Sequence, residues 1–296
     1  MKNLPFLAQR MFNTPLAITP GKAEIVMAAL ADRFGISKLF RVNGQMVPLA
    51  GDDREFWGDD EFSGAKDSPA HGYDVAAGVA IIPVQGTLVQ KLGMLRPFSG
   101  MTGYDGIRAN MSMALTDTAV RAIVLDIDSP GGEVAGCFDL VDEIYRMRGD
   151  KPIHAILTES AYSAAYAIAS ACDKIIVPRT GGTGSVGVIC MHVDFSKALT
   201  AAGIAVTMIH YGARKADGHP ELPLSQEALG IYQADIDAMG ELFVETVARN
   251  RGMSVAKVRR TEAGTFLGIS GVEVGFADAV MSPNKAFQSL ISELGR

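Results

Sequence analysis

The groups in this sequence best suited to chemistry are a Pro-Gly-Gly turn, a serine at the head of a small-residue run, and a lysine between glycines. The turn, Asp128-Ser129-Pro130-Gly131-Gly132, follows the apolar run AIVLDI at 122–127. Open α/β sheets bind ligands where strands end. Paired glycines there let a ligand approach main-chain N–H groups, and such groups can stabilise an oxyanion. A plain tight turn would use the same residues.

The serine is Ser163, in Glu159-Ser160-Ala161-Tyr162-Ser163-Ala164-Ala165-Tyr166. A strand is expected to end near Thr158 and a helix of small residues to begin close to Ser163. A hydroxyl at that junction sits near the positive end of a helix dipole, and the Ala164 N–H can point at the same space. The residue can equally be a helix N-cap, and Ser160 is a local competitor. A serine nucleophile needs a base. Lys215, in Gly212-Ala213-Arg214-Lys215-Ala216-Asp217-Gly218, lies in a loop free enough to aim it inward, although an exposed loop lysine is the ordinary alternative. Lysine works as a base near neutral pH only in a closed cleft that removes about 4 kcal/mol of hydration preference from its ammonium. The histidines (His71, His154, His192, His210 and His219) fall in strands, edges or irregular stretches, so a histidine-based triad fits less well.

The elements that must position these groups alternate β and α from Gly78 onward. Strands are expected at 78–89, 122–127, 152–160, 174–178 and 205–211. Helices are expected at 103–118, 133–148, 161–173, near 196–202, at 224–251 and near 284–294. This pattern favours a mostly parallel sheet covered by helices. Ahead of it, 22–34 has helical spacing, with Pro20-Gly21 at its start.

Composition narrows the class. The 296 residues are 48% hydrophobic and 20% charged with net charge −6, which suits a folded protein and gives no basic face for nucleic acid. Three cysteines, Cys137, Cys172 and Cys190, are too few and too apolar in setting for a disulfide framework, and no metal-ligand spacing appears. No apolar run approaches the ~18 residues of a membrane span, and the N-terminus lacks a secretory core. A cytoplasmic protein without metal or cofactor is expected.

SPGG at 129–132, the serine-led helix with IASACDKIIV (168–177), TGSVGV (183–188) and GARKADG (212–218) occur in an order that resembles the signal peptide peptidase family of serine peptidases. GVAIIPVQGTLV (78–89) and AGTFLGISGVEVGFADAV (263–280) are also similar to it, so the likeness covers about 76–281. The resemblance implies a crotonase/Clp protease-like α/β fold with repeated β-β-α units. It implies Ser163 as nucleophile, Lys215 as general base, and an oxyanion hole from the Gly132 and Ala164 N–H groups with Gly131 shaping the turn. Thr183, Gly184 and Ser185 match a segment lining the same cleft. Two features differ from the membrane-anchored members: Ala164-Ala165 stands where they have two glycines, and no anchor is seen. Both are more like the bacteriophage branch, the minor capsid protein or prohead (capsid assembly) proteases, as is FNTPLAITPGKAEIVMAAL at 12–30. That branch implies capsid, scaffold or portal proteins as substrates and a homo-oligomeric ring, with no nucleic acid and no membrane span. The alternatives are a bacterial cytoplasmic peptidase of the same family, a non-enzymatic capsid or scaffold component retaining the fold, and an acyl-thioester enzyme of the crotonase type using Glu133.

Three segments are expected: a small N-terminal helical appendage at 1–50, an acidic linker at 51–75, and the peptidase domain at 76–296. Residues 51–70 hold seven acids and two bases, net −5, so the rest of the chain is nearly neutral. Proteolysis or self-cleavage is expected within 51–76.

Overall fold

The computed structural model describes residues 12–30, 39–40, 46–47 and 71–295; the expected acidic linker lies outside these residues up to position 70. The first described elements are β1 (Leu16–Ile18), α1 (Pro20–Leu30), β2 (Leu39–Phe40) and β3 (Met46–Val47). Then come β4 (Asp74–Ala76), β5 (Val79–Gln85), β6 (Thr87–Val89), β7 (Met101–Gly103), α2 (Tyr104–Thr116), β8 (Ala122–Ser129), β9 (Gly131–Glu133) and α3 (Cys137–Arg146). The chain continues through β10 (Ile153–Tyr162), α4 (Ala164–Ser170), β11 (Lys174–Val177), β12 (Gly182–Gly184), α5 (Ser196–Ala201) and α6 (Gln226–Arg251). It ends with α7 (Val255–Arg259), β13 (Thr265–Leu267), α8 (Ile269–Val274), β14 (Ala279–Val280) and α9 (Pro283–Leu294).

The large sheet has eight strands, with the path β13-β12-β10-β8-β5-β4 and β11 and β14 joined through β10. Its central pairs, β5 with β8 and β8 with β10, are parallel. A four-stranded sheet, β1-β9-β6-β7, lies beside it, and β2 pairs with β3 separately. A β-β-α unit recurs. The long strands β5 and β8 each pass through a turn into a short strand of the second sheet, and the next helix is α2 or α3. This is the mostly parallel, helix-covered α/β fold expected.

The sequence explains the layering. β8 is almost continuously apolar because it is a central strand covered on both faces; Ile123, Leu125 and Ile127 are fully buried. Helix α3 is amphipathic, burying Cys137, Leu140, Val141 and Ile144. Helix α4 has no polar face, and every residue from Ala164 to Ser170 is buried. Its small side chains let it pass between α3, α6 and the strands. The C-terminal half of α6 caps this core through Phe243 and Val247, and Asn250 donates to the Ser170 hydroxyl at 3.0 Å.

Two expected elements differ. The run at 78–89 is two strands, broken at Gly86, whose N–H donates to the Asp128 carbonyl at 3.0 Å. The expected strand at 205–211 is irregular. Its alternation suits a ladder, but no described strand pairs with it, and Ile209 and Tyr211 are 96% and 100% exposed.

One ion pair closes the far end of the sheet. The Arg251 Nη1 and Nη2 donate to the two oxygens of Asp278 at 3.0 and 2.7 Å, and the Ile175 N–H donates to Asp278 at 2.7 Å. Burial alone would push the Asp278 carboxyl up, but the hydrogen bonds from Arg251 and Ile175 outweigh it and hold the carboxyl below its usual range. A depressed folded value means stability present above the unfolded carboxylate range, near pH 4, and lost as pH falls through the folded value. Urea titrations from pH 6 to pH 2 are expected to show Asp278→Asn less stable than wild type at pH 6, with the gap closing below pH 4. A constant gap would contradict this role.

Candidate active site

Three of the motifs meet because of strand register. β8 and β10 run parallel with Ala161 opposite Ser129. β10 and β12 run parallel with Ala161 opposite Thr183 and Tyr162 opposite Gly184. The Pro-Gly-Gly turn, Ser163 and the Thr183-Gly184-Ser185 segment therefore arrive at one sheet edge, where α/β folds place ligands. The register shift between Leu157 and Ala161 lengthens β10, so the strand runs past the expected end and delivers Ser163 directly.

Ser163 sits on a sharp turn between β10 and α4, with φ 53° and ψ −120°. A non-glycine residue in this region carries strain of about 1–3 kcal/mol, and such strain gathers at functional sites. The Ser163 N–H donates to the Gly184 carbonyl at 2.8 Å, and its carbonyl accepts from the Ala167 N–H at 2.9 Å. The backbone is thus clamped between β12 and the first turn of α4. The hydroxyl does not cap the helix. Its one described contact is a long 3.4 Å approach to the Gly187 carbonyl, which leaves the oxygen available. Ser163 is fully buried, and a strained turn that carries a serine at a strand–helix junction is the arrangement used by serine nucleophiles.

Opposite it runs β9. Gly131 has φ 103°, and a Cβ there would overlap the Ala17 carbonyl oxygen and lie 3.0 Å from the Ser163 Cβ. A Cβ on Gly132 would overlap the Leu88 carbonyl. Both glycines are required by close approach, and Gly131 also by its backbone. The Ser129 hydroxyl fixes the turn, donating to the Gly86 carbonyl at 2.7 Å and accepting from the Gly131 N–H at 3.2 Å. Ala164 opens α4, where the first N–H groups have no intrahelical acceptor. Gly131, Gly132 and Ala164 therefore border the same space as Ser163. Glu133 is not a free carboxylate: it is buried and accepts from the Gln90 N–H at 2.6 Å, while Tyr104 donates to its carbonyl at 2.7 Å.

Lys215 is placed differently from a finished dyad. It is exposed, in a turn at 212–218, and no described group hydrogen-bonds its ammonium. The turn is anchored by Tyr232, whose hydroxyl donates to the Asp217 carbonyl at 3.3 Å. Arg214 beside it pairs with Asp217 and Glu227. The histidines are engaged elsewhere. His71 stacks on Tyr73 at 4.1 Å, and His154 is buried in β10, where desolvation lowers its pKa. His192 contacts Asn13, His210 contacts Gly212, and His219 contacts Glu221. Ser160 accepts from the Gly182 N–H at 3.1 Å and is a structural residue. Burial pushes the Cys137 thiol up to about 12, so it is a packed, unreactive group beneath α4. Among the described residues no cluster of His, Cys, Asp or Glu is arranged to hold a metal, and no helix is long and apolar enough to cross a membrane.

Sequence reasoning missed the residues that cover this site. β1 pairs with β9, and Leu16, Ala17 and Ile18 are buried. A short apolar run between Pro15 and Pro20 was the available signal.

A strained serine beside a glycine strand, at the strand edge of a crotonase/Clp-like fold, is an arrangement of the kind serine peptidases use for acyl transfer. The chain belongs to peptidase family S49, whose model matches residues 146–295. It is 42% identical over 293 residues to "Head-tail preconnector protein GP5" of Enterobacteria phage P21, covering 99% of this chain and 58% of that one. It is 38% identical over 289 residues to "Capsid assembly protease C" of Escherichia phage lambda, covering 97% and 65%. "Putative signal peptide peptidase SppA" of Enterococcus faecium is 29% identical over 179 residues, covering 60% and 52%. The chain thus spans less than two thirds of the length of both phage relatives.

The strain at Ser163 gives a direct check. Ser163→Gly and Ser163→Ala both remove the hydroxyl, but only glycine relieves the positive φ. Calorimetry is expected to find Ser163→Gly more stable than Ser163→Ala by about 1 kcal/mol. Equal or reversed midpoints would contradict the strained geometry.

Proposed function

We propose that the protein is a serine endopeptidase that processes phage head, scaffold or portal proteins during capsid maturation. The observation that carries this reading is the convergence of Ser163, Gly131-Gly132 and Ala164 at one sheet edge. In the proposed reaction the Ser163 oxygen attacks a peptide carbonyl while Lys215 takes its proton. The Gly132 and Ala164 N–H groups hold the resulting oxyanion. Lys215 returns the proton to the leaving amine, and water then hydrolyses the acyl-enzyme. No cofactor enters this scheme.

The exposure of Lys215 in a single chain supports an oligomeric enzyme. Ile209 and Tyr211, just before the lysine turn, are almost wholly exposed, as large apolar residues of an interface would be. A neighbouring protomer of a homo-oligomeric ring would cover them and desolvate the lysine as base catalysis demands. The three-segment division also belongs to this proposal, with residues 51–75 tethering an N-terminal part (1–50) to the peptidase domain (76–296). The setting would be the host cytoplasm and the procapsid interior.

Ser163→Ala and Lys215→Ala are each expected to lower hydrolysis of a protein substrate by a factor of about 10⁴ or more while leaving the circular dichroism spectrum unchanged. Wild-type rates in either variant would overturn the Ser-Lys assignment.

A further inference from the structure

The groove beside Ser163 holds a stretch of this chain in the manner of a bound substrate. β1 runs antiparallel to β9, with Leu16 opposite Glu133, Ala17 opposite Gly132 and Ile18 opposite Gly131. The Thr19 N–H donates to the Pro130 carbonyl at 3.0 Å, and the Val134 N–H donates to the Pro15 carbonyl at 3.4 Å. In an antiparallel ladder hydrogen-bonded and non-hydrogen-bonded pairs alternate. These two bonds flank the pairs Ile18–Gly131 and Leu16–Glu133, so Ala17 and Gly132 form the hydrogen-bonded pair between them. The Gly132 N–H, a proposed oxyanion donor, therefore faces the Ala17 carbonyl. That oxygen lies against the missing side chain of Gly131, which on its other flank faces the Ser163 Cβ.

The opposite edge of the segment is also held. The Leu16 N–H donates to the Ile189 carbonyl at 2.8 Å, the Ile189 N–H donates back at 2.9 Å, and the Asn13 N–H donates to Met191 at 2.9 Å. Main-chain bonds on both edges are how extended peptides are captured. Side chains alternate accordingly. Leu16 and Ile18 pack with Ala23, Ile189 and Met191, while Ala17 enters the main core with no exposed surface. The Asn13 side chain donates to the Gly218 carbonyl at 2.8 Å, tying the segment to the turn that carries Lys215.

We propose that residues 13–19 form a built-in substrate strand, that the Ala17–Ile18 peptide bond is a self-cleavage site of Ser163, and that the uncut strand closes the groove to other polypeptides. This rests on the serine-endopeptidase reading. The Ser163 oxygen bonds to the Ala17 carbonyl carbon, and the Ala17–Ile18 C–N bond breaks. The proton lost by the hydroxyl passes through the base to the Ile18 nitrogen. Water then splits the Ala17 ester, leaving an Ala17 carboxylate and restoring the hydroxyl. The same register implies a small residue before the cut in any polypeptide that replaces the strand, because that side chain points into packed core.

The test is intact mass and N-terminal sequencing of the full chain, with hydrolysis of an added fluorogenic peptide of residues 14–21 (TPLAITPG). Wild type is expected to lose residues 1–17 and begin at Ile18, and Ser163→Ala to remain whole. Ile18→Pro keeps the strand but makes the bond a poor substrate. It is expected to stay intact and to hydrolyse the added peptide at least 10-fold more slowly than wild type, with deletion of residues 1–17 restoring the rate. Ser163-dependent hydrolysis of the peptide by a chain that keeps residues 1–17, unchanged by their deletion, would overturn the proposal and leave the peptidase reading standing. Cleavage at another bond of the segment would overturn the register. Absence of all hydrolysis would overturn both.

Discussion

The parallel pairing of β10 with β8 on one side and β12 on the other is the constraint on which the rest of the site depends. It puts Ala161 level with both Ser129 and Thr183, so three segments far apart in sequence end at the same height. The next residue but one, Ser163, then has no freedom. Its N–H is taken by Gly184, its carbonyl by the first turn of α4, and its φ is forced positive. The buried strands and the wholly buried helix α4 supply the packing that sustains this strain. A looser core would let the turn relax and swing the oxygen away from β9.

The same edge carries a groove with two hydrogen-bonding sides, β9 and the segment around Ile189. In this chain the groove is filled by β1. A single geometry therefore explains three features: the two obligatory glycines, the full burial of the Ser163 hydroxyl, and a short strand contributed by residues more than a hundred positions before β9. Lys215 stands apart, exposed on a turn flanked by exposed apolar residues. On the proposed reading, closing the site around it would fall to association between protomers.

Much of the fold was legible in the sequence because its signals are local. The long period of α6 with Ser225 at its N-cap, the apolar run of β8 and the small-residue helix after Ser163 all depend on neighbours in sequence. The unusual turns at Gly131 and Ser163 fall in segments that the sequence singled out, at a Pro-Gly-Gly turn and at the head of a small-residue run. What was not legible depends on distant partners. β1 is three residues long and becomes a strand only because β9, more than a hundred residues later, offers an edge. The run at 205–211 has the alternation of a strand and lacks a partner, so it stays irregular. Glu133 resembles a catalytic carboxylate in sequence, whereas its use in holding the Gln90 N–H follows from the approach of β6.

The central claim is that Ser163 is an activated nucleophile in an oxyanion site that β1 covers. Reaction with a fluorophosphonate, followed by peptide mapping, tests it most directly. The account predicts a single adduct on Ser163, formed faster when residues 1–17 have been removed. An adduct on another residue, or none on Ser163 in the shortened chain, would contradict it.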